Sequence, residues 1–403
     1  MKSRNRKIED LYLTLRNLIF GSLRSFTKTY AKEDLLDINI KNILIIRLDR
    51  IGDMVMTTPI FRALKEKWPN VQITVLANSV NKNLVINNPF VDCIIVYDKE
   101  KRHKSLNSRL SFFKGIRERN FDIVIDPYLD YELYTSIITR LVGSKYRLGF
   151  EFAGRGIFYN IRYSSKFFPI FTEKKHMIDY YLDLITCLGI EAKERQPEIF
   201  LSSDEKENAL QLLKNKGIKL KNKIIGIHPG GNYESQRWPI ERFAAISDYL
   251  VARYSTNVIL FGGRDERHLI SEFKDYAVKT PIILEDLNLR EFISVLSRCN
   301  LFLCNNSGPL HIATALGIPT VSTMGPTVPF HWWPRGKNHV VLRKDLDCSP
   351  CKKGICETHE CMKLITTNDF SAAVKMQIEI LNLFPSEKVS NYSTTNKSSH
   401  SIK

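Results

Sequence analysis

The sequence has no apolar run approaching the roughly 20 residues that a membrane-crossing helix needs. It also lacks a continuous signal core. After the basic start Met1-Lys2-Ser3-Arg4-Asn5-Arg6-Lys7, the apolar residues are interrupted by Arg16, Asn17 and Arg24. A cytoplasmic protein is the expectation. Two phosphate-binding signatures are missing as well: neither the G-x-G-x-x-G turn of dinucleotide-binding domains nor the G-x-x-x-x-G-K-[ST] phosphate loop occurs. The first absence counts against a nicotinamide-dependent oxidoreductase. No compact nucleic-acid-binding motif is present and the positive charge is dispersed, so nucleic acid is not the expected partner.

What is present fills more than one comfortable core. A chain of 403 residues, 43% hydrophobic and 25% charged, has a globular composition and predicts two domains. Its net charge of +16 calls for an acidic partner, such as an anionic membrane surface or a phosphorylated substrate.

Residues 1–40 form a basic amphipathic extension in which Leu11, Leu15, Leu18, Ile19, Leu23 and Phe26 recur at helical spacing. Such a helix can lie on an anionic bilayer or pack against its own domain. Residues 41–200 then alternate apolar strand signals (Asn42–Leu48, Val71–Ala77, Cys93–Tyr97, Asp122–Asp126, Tyr146–Phe150) with helical or loop stretches, the pattern of a parallel α/β domain. A basic loop is read from Lys99 to Arg119. A second alternating unit spans 201–368, and Ser202 with Glu205 resembles a capping box that opens its first helix. Residues 369–384 read as a helix returning to brace the first half, and 385–403 as a disordered polar tail.

Candidate chemistry gathers at strand ends. Leu301 to Cys304 is a buried strand, Asn305-Asn306-Ser307-Gly308 a polar turn, and Pro309 the opening of an apolar helix whose free amides suit a phosphate or diphosphate. Asp53 follows the first strand and Gly52. There a carboxylate can take a proton from a hydroxyl nucleophile, or cap the next helix. His228-Pro229-Gly230-Gly231 makes an amide-rich loop, Arg237 offers a planar fork to diphosphate oxygens, and Glu266 is placed to accept from ribose hydroxyls. Cys348, Cys351, Cys356 and Cys361 crowd one loop with His359. They fit a metal site or reduced thiols, and no metal or other cofactor is expected.

Together, Ile51-Gly52-Asp53 with Thr57 to Pro59, the His228 loop with Arg237-Trp238-Pro239, Gly262 to Glu266, Asn306 to His311 and Gly325-Pro326-Thr327 resemble glycosyltransferase family 9, over roughly residues 42–380. The resemblance implies a GT-B fold, two Rossmann-like domains facing a central cleft, the first for acceptor and the second for nucleotide-sugar. It implies an inverting, metal-independent transfer of heptose or a related sugar from ADP-heptose to a phosphorylated lipid A/core oligosaccharide, at the inner face of the inner membrane. Asp53 would be the base. Gly52, Thr57, His228, Gly230, Gly231, Arg237, Glu266, Asn306, Ser307, Gly308, Pro309 and His311 would bind substrates. Two departures concern the donor: Gln236 stands where many relatives have lysine, and Asn306 where many have aspartate. A transferase using another nucleotide-sugar for a different surface glycan is the competing expectation.

Overall fold

In the computed structural model the two alternating patterns become two separate parallel sheets. The structure describes residues 2–24, 27–35, 38–152, 154–164, 174–351 and 353–384. The tail read from 385 onward lies outside them. The first sheet contains β1 (Asn42–Arg47), β2 (Gln72–Ala77), β3 (Cys93–Val96), β4 (Ile123–Asp126), β5 (Tyr146–Phe150) and β6 (Ile161–Tyr163), in the order β3-β2-β1-β4-β5-β6. The second contains β7 (Ile224–His228), β8 (Asn257–Gly262), β9 (Ile282–Glu285), β10 (Leu301–Asn305), β11 (Thr320–Thr323) and β12 (His339–Leu342), in the order β12-β11-β10-β7-β8-β9. Read from its other edge, the second sheet has the same strand order as the first, that of the doubly wound Rossmann fold. The central strands are continuous apolar runs because helices cover both of their faces. Each sheet therefore reverses its winding beside its first strand, between β1 and β4 and between β7 and β10, where open sheets leave a crevice at their carboxyl ends.

The helices are α1 (Lys2–Arg24), α2 (Ile51–Lys67), α3 (Leu106–Arg117), α4 (Tyr134–Val142), α5 (Met177–Thr186), α6 (Ser203–Asn215), α7 (Ile240–Tyr254), α8 (Arg267–Tyr276), α9 (Leu289–Leu296), α10 (Gly308–Ala315), α11 (Pro329–Trp332), α12 (Glu360–Lys363) and α13 (Thr367–Ile380). The capping box before α6 forms as the sequence suggests: Ser202 Oγ accepts from the Glu205 amide, and the Glu205 carboxylate accepts from the Ser202 amide. In α2 the ring of Pro59 removes the amide that would reach Val55 O, and Thr58 Oγ1 donates to that carbonyl at 2.8 Å instead. The helix continues through the proline.

Three sequence expectations change. The segment Lys99 to Arg119 is mostly helix α3, because Phe113 and Ile116 turn inward against Tyr97 while the basic residues face out. Two outer strands join the sheets beyond those expected: β6, with only three residues, and β12 at the edge of the second sheet. The last helix, α13, braces the second half and not the first: Phe370 stacks on Trp238 with ring centroids 4.6 Å apart, and Val374 and Ile378 join the same core.

Candidate active site

The helices that follow the first strand of one sheet and the fourth of the other start face to face. A Cβ on Gly52, in the first turn of α2, would sit 3.0 Å from His311 Cδ2 in α10, and one on Gly308 would sit 3.2 Å from Ile51 Cγ2. Two glycines thus let two helix N-termini, one from each half, approach within van der Waals distance. Around this junction opens a cleft of about 950 Å³, walled by both halves.

On the front wall, the Asp53 carboxylate is held by a side chain from another helix, α5. The extended residue before α2 is Arg50, which makes no side-chain cap, so the capping role considered for Asp53 is not the one it takes. Asp53 Oδ1 accepts from the Tyr181 hydroxyl at 2.9 Å and lies 3.5 Å from Arg47 Nη2. Arg47 is fully buried, sits 4.4 Å from the centre of the Tyr181 ring, and reaches a second carboxylate, with its Nε 3.3 Å from Asp49 Oδ1. Burial works against the guanidinium charge, but Asp49, Tyr181 and Asp53 outweigh it and hold Arg47 protonated. Asp49 behaves differently. Burial pushes its carboxyl up to about 7, which Arg47 offsets only in part and the charge of Asp53 reinforces. One guanidinium therefore serves two carboxylates, both lining the cleft.

The rear wall is knitted by Asn305, at the end of β10. Its Nδ2 donates to Pro229 O at 2.7 Å and Gly230 O at 3.1 Å, and its Oδ1 accepts from the Trp238 amide at 2.9 Å and Thr323 Oγ1 at 2.7 Å. One buried side chain thus fixes both ends of the β7–α7 connection and ties it to the end of β11. Beyond it, Ser307 precedes α10 in extended conformation, with Pro309 in the first turn and no side-chain cap on the free amides. His311 is buried one turn in. Burial first, then His176, brings its pKa down to about 3, so the ring is neutral. His228 Nε2 lies 3.1 Å from Glu266 Oε2. Burial would raise the Glu266 carboxyl, yet the bond and charge of His228 and the Gly263 amide hold it down at about 2.

Of the sequence-predicted residues, Gly52, Asp53, His228, Gly231, Arg237, Glu266, Asn306, Ser307, Gly308, Pro309 and His311 all line this one cleft. Two do not. Thr57 is fully buried and donates to Asp53 O at 2.7 Å, so it supports the turn that carries Asp53. Gly230 lies behind Glu266, where an added Cβ would come within 1.8 Å of the carboxylate. Arg237 spends Nε and Nη2 on Gly231 O, at 3.1 and 3.0 Å. Sequence reasoning missed Asp49, Arg50, Lys353, Arg47 and Tyr181. Asp49 and Arg50 were within reach, since they directly precede the Ile51-Gly52-Asp53 turn. Nothing in the sequence links Tyr181 to it.

The chain is similar to known proteins in sequence and in fold. The sequence model of Glycosyltransferase family 9 (heptosyltransferase) matches residues 109–362, well over half of the chain. A curated relative, lipooligosaccharide heptosyltransferase 2 of Campylobacter jejuni, is 27% identical over 323 residues, covering 78% of this chain and 92% of the relative. Among solved structures, a family 9 glycosyl transferase from Veillonella parvula superposes with a TM-score of 0.76 at 24% identity over 86% of this chain and 99% of that one. An ADP-heptose lipopolysaccharide heptosyltransferase II from E. coli does so with a TM-score of 0.69 at 20% identity over 85% and 99%. The expected GT-B architecture of two Rossmann-like halves is the one found. Matched across its second half and much of its first, the chain belongs to glycosyltransferase family 9.

Proposed function

We propose that this protein is an inverting heptosyltransferase that moves heptose from ADP-heptose to the phosphorylated core oligosaccharide of lipid A. The observation that carries the reading is the opposition of Asp53 and the uncapped start of α10 across one cleft. A carboxylate facing free helix amides is what a single displacement from a diphosphate requires. Asp53 takes the proton of an acceptor hydroxyl while the hydroxyl oxygen attacks the anomeric carbon. The bond from that carbon to the diphosphate oxygen breaks on the opposite face. The charge left on the diphosphate meets the amides of Ser307 and Gly308 at the positive start of α10. Tyr181 and Arg47 hold one carboxylate oxygen of Asp53, leaving the other for the substrate. On the rear wall, the ionised Glu266 accepts from the ribose hydroxyls.

The names of the relatives favour heptose and lipopolysaccharide as donor sugar and acceptor class. The acceptor's phosphates suit the basic residues around α3, and an acceptor embedded in a bilayer suits α1. That helix is held along one edge, where Arg16 donates to Tyr131 O at 2.7 Å and Phe20 meets Phe158 edge to face. Its other face leaves Tyr12, Leu15, Leu18, Ile19 and Leu23 exposed. Among the described residues no helix is long and apolar enough to cross a membrane, so α1 would lie on the surface.

The deciding experiment is Asp53→Asn in full-length protein supplied with ADP-heptose and a deep-truncated core acceptor. Loss of turnover by about 10²-fold or more, with unchanged folding and ADP binding, is expected. Retained turnover removes Asp53 as the base, and turnover only with a different nucleotide-sugar supports the other surface glycan.

A further inference from the structure

The four-cysteine loop has no part in the chemistry above, yet its Lys353 lines the cleft. It is fastened at two places. Ser235 Oγ donates to Lys353 O at 2.5 Å, the Ser235 amide donates to Gly354 O at 3.2 Å, and His359 Nε2 lies 3.0 Å from Ser235 O. On the other side Ser349 Oγ donates to Gly325 O at 2.7 Å and the Cys351 amide to Pro326 O at 3.1 Å. Cys361 Sγ and Met362 Sδ press so closely on Gly325 that a Cβ there would lie 2.8 and 2.6 Å from them. The two anchoring turns lead directly into cleft-lining residues, Gln236 and Arg237 on one side and Pro326 and Thr327 on the other.

Between those anchors the loop presents Lys353 to the cleft. Among the described residues its ammonium has no acidic partner. Of the other cations lining the cleft, Arg237 is engaged by Gly231 O and Arg50 by the Tyr233 hydroxyl at 3.1 Å, and Arg264 stands on the turn after β8. Gln236, which adjoins the anchoring serine, is neutral. An uncommitted cation on a stitched loop, in a cleft whose rear wall offers free helix amides, has an anion as its natural counterpart. We propose that Lys353 binds the diphosphate of the nucleotide-sugar and that the cysteine loop exists to hold it there. This rests on the donor reading given above and adds a residue and a loop to it.

Binding of ADP and of adenosine to full-length wild type, Lys353→Ala and Lys353→Arg, followed by ligand-observed NMR or calorimetry, separates the possibilities. The expected result is an ADP affinity lowered about tenfold or more in Lys353→Ala, largely recovered in Lys353→Arg, with adenosine affinity the same in all three. Unchanged ADP binding in Lys353→Ala overturns the proposal. So does a parallel loss of ADP and adenosine, which marks a merely structural loop. Absence of ADP binding by the wild type overturns the donor reading itself, and the role of Lys353 with it.

Discussion

The hydroxyl of Tyr181 donates to Asp53 Oδ1 at 2.9 Å across 128 residues of sequence, from helix α5 to the first turn of α2. The same ring lies against Arg47, whose guanidinium reaches toward both Asp53 and Asp49. The candidate base is therefore held by a neighbouring helix and by the end of its own strand, and neither hold depends on substrate.

Removing that hydroxyl in Tyr181→Phe keeps the ring on Arg47 and frees Asp53 to turn. Turnover should fall by roughly tenfold to a hundredfold, the usual worth of a hydrogen bond to a charged group. The melting temperature should move little. Steady-state assay beside thermal denaturation checks both, and full activity in the variant would show that the bond does not position the base.

Asp49 makes stability depend on pH in a known direction. Its carboxyl sits near 7 in the folded chain against an ordinary 3.8, so the native state holds an extra proton between those values. The stability this contributes is complete below about pH 3.8 and is lost as pH rises through about 7. Asp49→Asn keeps the shape without the titration, so its melting temperature relative to wild type should rise between pH 5 and pH 8. An equal difference at both values would mean that Asp49 titrates normally.

Asn305→Ala strips partners from the buried Trp238 amide and the Pro229 and Gly230 carbonyls at once. A loss of roughly 2–4 kcal/mol in urea unfolding is expected, since each unsatisfied buried group costs about 1–3 kcal/mol. ADP affinity should fall with it, because the loops it ties carry the rear wall. A loss below about 1 kcal/mol would show that the loops hold one another without it.

The outer face of α1 predicts co-sedimentation with vesicles containing anionic lipid, weakened by salt and abolished by removing residues 1–35. Replacing Leu15, Leu18 and Ile19 with Ser should have the same effect while leaving the Arg16 and Phe20 contacts in place. Binding that survives both changes would assign membrane contact to another surface.

Apolar runs bounded by polar turns made both halves legible, because a strand buried on two faces must be apolar throughout. The strand ends named most of the cleft for a related reason: in a doubly wound sheet, residues just past the first and fourth strands share one crevice. Asp53 and the Ser307 turn were found that way, and Glu266 lies past the neighbouring strand β8. Direct chain neighbours of such turns, Asp49 and Arg50, carried the same signal and were passed over. Periodicity gave α13 its helical character but not its destination, since an apolar helical face fits either half.

Sequence by itself determined that two parallel α/β units lie in tandem with carboxylate and amide-rich turns at their strand ends, because hydrophobic period and turn chemistry are local properties. Tertiary structure alone decided which distant side chains meet: Tyr181 on Asp53, Arg47 between two acids, Phe370 on Trp238, and Lys353 at the cleft. Those pairings depend on how packed helices and loops are aimed in space. Contacts between residues more than a hundred positions apart leave no periodic trace in the chain.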